Sequence, residues 1–178
     1  MISHDKTTTF PTERRTMRYH DVLLIPKVAS TSLRWITQTS THTLPTVAFV
    51  RHPFQRWIAG YTMWILDLAR FSNGTIVWEP PHHFTYDAHT TLQRHFIDAD
   101  TRIIRLDDIN EWATRCAVKL PHLHKTSQLH RWIQRKTADW LKENPLWLDE
   151  LNTHLQIDYN LYDRAESVQS LPENFFTR

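Results

Sequence analysis

Between Val22 and Leu33 the chain reads Val-Leu-Leu-Ile-Pro-Lys-Val-Ala-Ser-Thr-Ser-Leu, an order that few local structures satisfy. The apolar run Val22 to Ile25 has the length and content of a short buried strand. Pro26 ends it, because proline has no N–H for the ladder. Ser30, Thr31 and Ser32 are N-cap residue types, and Leu33, Trp35 and Ile36 open an apolar pattern at helical spacing. Strand, loop and helix N-terminus therefore follow one another. Such a junction aims unpaired backbone N–H groups and the positive end of a helix dipole at one spot, which suits a phosphate or sulfate. Lys27 adds a full charge. The same residues also describe an ordinary strand-to-helix turn rich in capping residues, so the surrounding motifs have to decide.

With 178 residues the chain can bury one core and is short for two. An apolar content of 40% and a charged content of 22% exclude a disordered chain. The expected division is an arm over 1–18, a single domain over 19–165 and a tail over 166–178. No run approaches the roughly 20 apolar residues of a membrane span, and His4, Asp5 and Lys6 do not make a signal peptide. Cys116 is the sole cysteine, which fits a reducing compartment, and the expected location is cytoplasmic. A net charge of +2 and a pI near 8.8 favour anionic ligands weakly. There is no basic block of the kind nucleic-acid tails carry, so no nucleic-acid partner is expected. The eight tryptophans read as core filling rather than sugar-stacking platforms.

Thr46 to Val50 forms a second apolar run that ends at Arg51, and Pro53 suits the first turn of a helix. Phe54, Trp57, Ile58, Tyr61, Ile65 and Leu68 then fall on one helical face. In open α/β sheets ligands lie beyond the carboxyl ends of parallel strands, so Lys27 and Arg51 can share one ligand. Asn73-Gly74 signals a turn, Thr75 to Trp78 an edge strand, and Pro80, Pro81, His82 and His83 an irregular rim. Thr101 to Leu106 reads as a third strand. Asp107 and Asp108 are expected to cap a helix whose face holds Ile109, Trp112, Ala113, Cys116 and Leu120. Helices are expected from about Leu129 to Lys142 and from Leu146 toward Arg164, the second with Leu148, Leu151, Leu155, Tyr159 and Tyr162 on one face. His122 and His124 have no partner at metal-ligand spacing.

The stretch Pro26 to Leu33 resembles the 5′-phosphosulfate loop of sulfotransferases that use 3′-phosphoadenosine 5′-phosphosulfate (PAPS), most nearly the carbohydrate (heparan sulfate) 2-O-sulfotransferase-like group. Arg51 to Tyr61 is similar to the family's second signature, with His52 for an acidic or amide residue and Ala59 for a serine. The missing hydroxyl removes a hydrogen bond to a charged group, worth about 1.5–3 kcal/mol. Further likenesses are His89 to Gln93 as His-x-x-x-Gln, Arg105 to Ile109, Leu120 to Ser127 as the His-Leu-x-Lys-[Thr/Ser]-Ser run, and Ile157 to Tyr162 at the close.

This resemblance implies a P-loop NTPase-like sulfotransferase fold of the α/β class, with a short central parallel β-sheet flanked by helices. It implies PAPS as donor, PAP as product and no metal requirement. Lys27, Val28, Ala29, Ser30, Thr31 and Ser32 would hold the 5′-phosphosulfate, with Lys27 also stabilising the leaving oxygen. Arg51, Lys125, Thr126 and Ser127 would hold the 3′-phosphate. The acceptor is a hydroxyl, of a carbohydrate or glycolipid, in a minimal soluble form of bacterial or viral type. Its proton needs a base near neutrality, for which histidine is suited. His42, the only histidine between the first two motifs, is the first candidate, His89 the second, and Asp67, Glu79 and Asp87 are carboxylate alternatives. Two other readings compete. An ATP-dependent small-molecule kinase would use Asp107 and Mg²⁺, but it expects Gly-x-x-x-x-Gly-Lys-[Ser/Thr], and the only glycines are Gly60 and Gly74. A catalytically inactive PAP- or PAPS-binding scaffold would bind nucleotide without turnover.

Overall fold

The computed structural model describes residues 17–19, 22–24, 47–71, 74–117, 126–173 and 175. Among the described residues five strands lie side by side in chain order: β1 (Met17–Tyr19), β2 (Val22–Leu24), β3 (Val47–Val50), β4 (Arg102–Arg105) and β5 (Glu166–Ser167). β1 runs antiparallel to β2, and every later neighbour is parallel. All four residues of β3 are buried, as expected of a parallel strand covered on both faces. Ile104 is the fully buried residue of β4. The described part of the fold is therefore α/β, with a small, mainly parallel sheet flanked by helices.

The helices are α1 (Pro53–Phe71), α2 (Ile109–Arg115), α3 (Gln128–Glu143) and α4 (Pro145–Arg164). Pro53 opens α1 where its missing N–H costs nothing, and Arg70 sits in the last turn against the negative end of the dipole. α1, α3 and α4 close a second core around Trp57, Tyr61, Ile65, Ile133, Leu151 and Leu155. Asn144 alone joins α3 to α4, and its side chain donates to the Trp140 carbonyl at 2.8 Å, satisfying one of the last carbonyls of α3. Trp57 and Trp112 are fully buried, in keeping with core filling, whereas Trp132 is 46% exposed.

Several expectations need correction. Met17 and Arg18, assigned to an arm, pair with β2. Thr75 to Trp78 forms no strand; Val77 is 61% exposed, and the segment lies along the helices, where Trp78 Nε1 donates to Thr137 at 3.1 Å. Leu68 faces solvent. Asp107 and Asp108 do not cap α2 through their side chains: Asp108 takes a left-handed backbone with φ 60° and makes no capping bond. Residues read as a tail complete the sheet, with β5 against β4 and Val168, Leu171 and Phe175 buried in the sheet-side core. The helix expected after Ser32 lies outside the described residues.

Candidate functional site

Arg51 follows directly on β3, at the carboxyl edge of the parallel strands. Its backbone is held on both sides by one side chain: Arg51 N–H donates to Gln93 Oε1 and Gln93 Nε2 donates to the Arg51 carbonyl, each at 2.9 Å. This amide clamp continues the ladder after the strand has ended, just as Leu106 N–H does by donating to the Val50 carbonyl at 2.8 Å. Gln93 is fully buried and begins a 3₁₀ turn, Gln93–Phe96. Asp158 of α4, 1% exposed, accepts from the N–H groups of Gln93 at 2.7 Å and Arg94 at 3.0 Å. A carboxylate at a turn N-terminus thus fixes Gln93, and Gln93 fixes Arg51.

Around the Arg51 guanidinium the environment is partly desolvated. Burial lowers its pKa and the nearby Asp107 carboxylate opposes that shift. Asp107 itself accepts a hydrogen bond from the Tyr162 hydroxyl, and the Arg105 guanidinium lies 5.9 Å from the Tyr162 ring centroid. The His52 ring meets Tyr159 and Tyr162 edge-on at 5.5 and 5.6 Å. Its Nδ1 is buried and has no hydrogen-bond partner among the described residues. A planar guanidinium on a fixed backbone beyond two parallel strand ends suits recognition of a phosphate.

A second cluster lies on the segment leading to Gln93. His89 Nδ1 is 2.9 Å from Asp87 Oδ2, and His89 N–H donates to Asp87 Oδ1 at 2.8 Å. Burial acts to raise the Asp87 pKa, but the hydrogen bond and charge of His89, with backbone N–H bonds from His89 and Thr90, hold it below the ordinary carboxylate value. Thr90, fully buried, accepts from the N–H groups of Tyr86 at 2.7 Å and Asp87 at 3.1 Å. Arg56, 2% exposed, donates to the carbonyls of Thr91 at 2.6 Å and Ala88 at 3.4 Å. Its pKa is pushed down to about 10, burial outweighing the attraction of Asp158 and Asp87, so it remains a cation at neutral pH.

Of the residues singled out from the sequence, Lys27, Val28, Ala29, Ser30, Thr31, Ser32, His42 and Lys125 lie outside the described residues. Arg51, His89 and Gln93 are brought into one connected arrangement. Thr126 and Ser127 are exposed at the start of α3, where Ser127 Oγ accepts from His130 N–H at 3.2 Å and lies 2.6 Å from His130 Nδ1. That hydroxyl acts as an N-cap. Asp67 pairs with Arg70 one turn along α1 at 2.9 Å, and Glu79 is exposed. Neither joins the Asp87–His89 pair. Sequence reasoning did not assign Arg56, Asp158 or Tyr162 to the site. Asp158 did carry a signal, being an acid in line with Leu151 and Leu155 on the buried face of α4. Among the described residues no three His, Cys, Asp or Glu side chains converge as a metal-binding set.

No protein-family model, curated protein or solved structure matches this chain.

Proposed function

We propose that this chain is a PAPS-dependent sulfotransferase with a P-loop NTPase-like arrangement, transferring a sulfuryl group by in-line displacement to a hydroxyl of a carbohydrate or glycolipid. The observation that carries the reading is the amide clamp on Arg51. Gln93 holds both backbone groups of a half-buried arginine beyond the end of β3, so the backbone from which its fork extends is fixed before an anion binds. Arg51 is the residue to which the family resemblance assigns the donor's 3′-phosphate, and Gln93 closes the His-x-x-x-Gln element of the same resemblance. PAPS, when bound, supplies the activated sulfuryl group. The chain's own work is then to align the acceptor oxygen opposite the leaving phosphate, accept its proton and neutralise the leaving oxygen. Lys27 is assigned the last of these tasks.

The kinase alternative asks Asp107 to hold a magnesium ion. Asp107 instead faces the Arg51 charge and accepts the Tyr162 hydroxyl, which favours a role in fixing the anion-binding arginine. Calorimetric titration with PAP, and separately with ATP and Mg²⁺, tests the assignment. Wild type is expected to bind PAP and to prefer it, and Arg51→Ala to lose that binding while still folding. Preference for ATP with Mg²⁺, or binding of neither, would sink the sulfotransferase reading. Tight PAP binding without turnover of PAPS would leave the inactive scaffold.

A further inference from the structure

The segment from Tyr86 to Gln93 is fastened at both ends to elements of the donor side. Its Thr91 and Ala88 carbonyls accept from Arg56 of α1, and its last residue clamps Arg51. Between these anchors sits His89, whose carbonyl lies so close to α1 that a Cβ on Gly60 would come within 2.2 Å of it. Asp87 accepts from both the backbone and the ring of His89. The His89 side chain is 33% exposed, its Nδ1 is taken by Asp87, and Nε2 has no partner among the described residues. A carboxylate on Nδ1 selects the Nδ1–H tautomer and leaves the Nε2 lone pair free to take a proton.

We infer that His89 is the general base for the acceptor hydroxyl, with Asp87 as the residue that positions it; this rests on the sulfotransferase reading. The acceptor O–H proton passes to His89 Nε2 as the acceptor oxygen forms its bond to sulfur. The bond between sulfur and the bridging oxygen breaks, its electron pair staying on the 5′-phosphate of PAP. The imidazolium formed faces the Asp87 carboxylate and later returns its proton to solvent. This gives the role to His89 rather than to His42, to which chain position alone pointed. One rigid segment then carries the base and, through Gln93, the arginine of the donor site.

The test uses the full chain, radiolabelled PAPS with water as acceptor, and calorimetry with PAP. His89→Gln is expected to bind PAP within about twofold of wild type and to lose about 100-fold or more of PAPS desulfation. Nitrogen-15 NMR of labelled histidines reads the positioning role: wild-type His89 should be the Nδ1–H tautomer, and Asp87→Asn should populate the Nε2–H form as desulfation falls. Desulfation by His89→Gln at the wild-type rate with PAP still bound would overturn the assignment and leave the donor reading intact. A wild type that binds PAP but does not accelerate PAPS desulfation would overturn it as well. Failure of wild type to bind PAP would instead remove the donor reading and take this assignment with it.

Discussion

Gly60 of α1 packs directly against the backbone of His89: a Cβ there would lie 2.2 Å from the His89 carbonyl oxygen and 2.7 Å from its carbon. Both obstructing atoms are backbone, so no side chain can swing away to make room. Gly60→Ala therefore forces the segment carrying Asp87 and His89 away from the helix. Overpacking of this kind costs about 1–3 kcal/mol, partly offset by the gain in helix propensity of about 1 kcal/mol. The expected result is a fall in the urea midpoint together with a large loss of PAPS desulfation and a smaller loss of PAP affinity, because the displaced segment also carries Gln93 and its clamp on Arg51. Full desulfation by a stably folded Gly60→Ala protein would show that the close approach has no bearing on His89.

Gln93 offers a complementary probe, because its amide serves both backbone groups of Arg51. Gln93→Leu keeps the bulk and removes both bonds, each worth about 0.5–1.5 kcal/mol. Arg51 stays in the sequence but loses its fixed backbone. PAP affinity should fall about tenfold, equivalent to ~1.4 kcal/mol, with the enthalpy of binding less favourable. Wild-type affinity measured by calorimetry on a folded Gln93→Leu protein would refute the clamp as a determinant of anion binding.

The elements most legible from the sequence were those with a local signal. The apolar run before Arg51 gave β3, and helical spacing after Pro53 and Pro145 gave α1 and α4. Contacts made at long range were hidden. Asp158 meets the N–H groups of Gln93 and Arg94 across separations of 65 and 64 residues, and nothing near either partner announces the other. β5 is two residues long, too short to show alternation, and is a strand only because β4 supplies its ladder. Thr75 to Trp78 has strand composition, but its Trp78 is drawn to Thr137 on α3. At the site, the order His89, Gln93, Arg51 could be suspected from motif spacing, whereas the fastening by Arg56, Gly60 and Thr90 depends on how α1 meets a loop about thirty residues further on.

Two carboxylates with visible partners should behave very differently when removed. Asp158 is buried, accepts two backbone N–H bonds and faces the Arg56 cation. Asp158→Asn keeps the shape but loses the charge and turns one acceptor into a donor against N–H groups, so a destabilisation of about 3 kcal/mol is expected. Glu166 pairs with Arg102 on the surface, with side-chain exposures of 46% and 34%. Glu166→Gln should cost under about 1 kcal/mol. Urea denaturation of both variants decides the matter; similar midpoints would mean that the Asp158 network is not a stabilising feature of the fold.

His154 supplies a pH signature of the α4 face. Its ring stacks on Phe84 at 5.2 Å, and its Nε2 is buried without a hydrogen-bond partner among the described residues. Burial lowers its pKa from 6.5, Asp158 working against that shift and His95 with it. The unfolded chain therefore binds the proton more tightly than the folded one. Linkage gives the sign: the contribution is fully present above the unfolded value of about 6.5 and is lost as pH falls toward the lower folded value. His154→Phe keeps an aromatic ring against Phe84 and removes both the titration and the unpaired nitrogen. Its stability at neutral pH should equal or exceed that of wild type, since an unsatisfied buried polar atom costs about 1–3 kcal/mol. Between pH 6.5 and 5 its thermal midpoint should fall less steeply than that of wild type. Parallel pH curves for the two proteins would show that His154 is protonated as readily when folded as when unfolded, and that another group drives the acid limb.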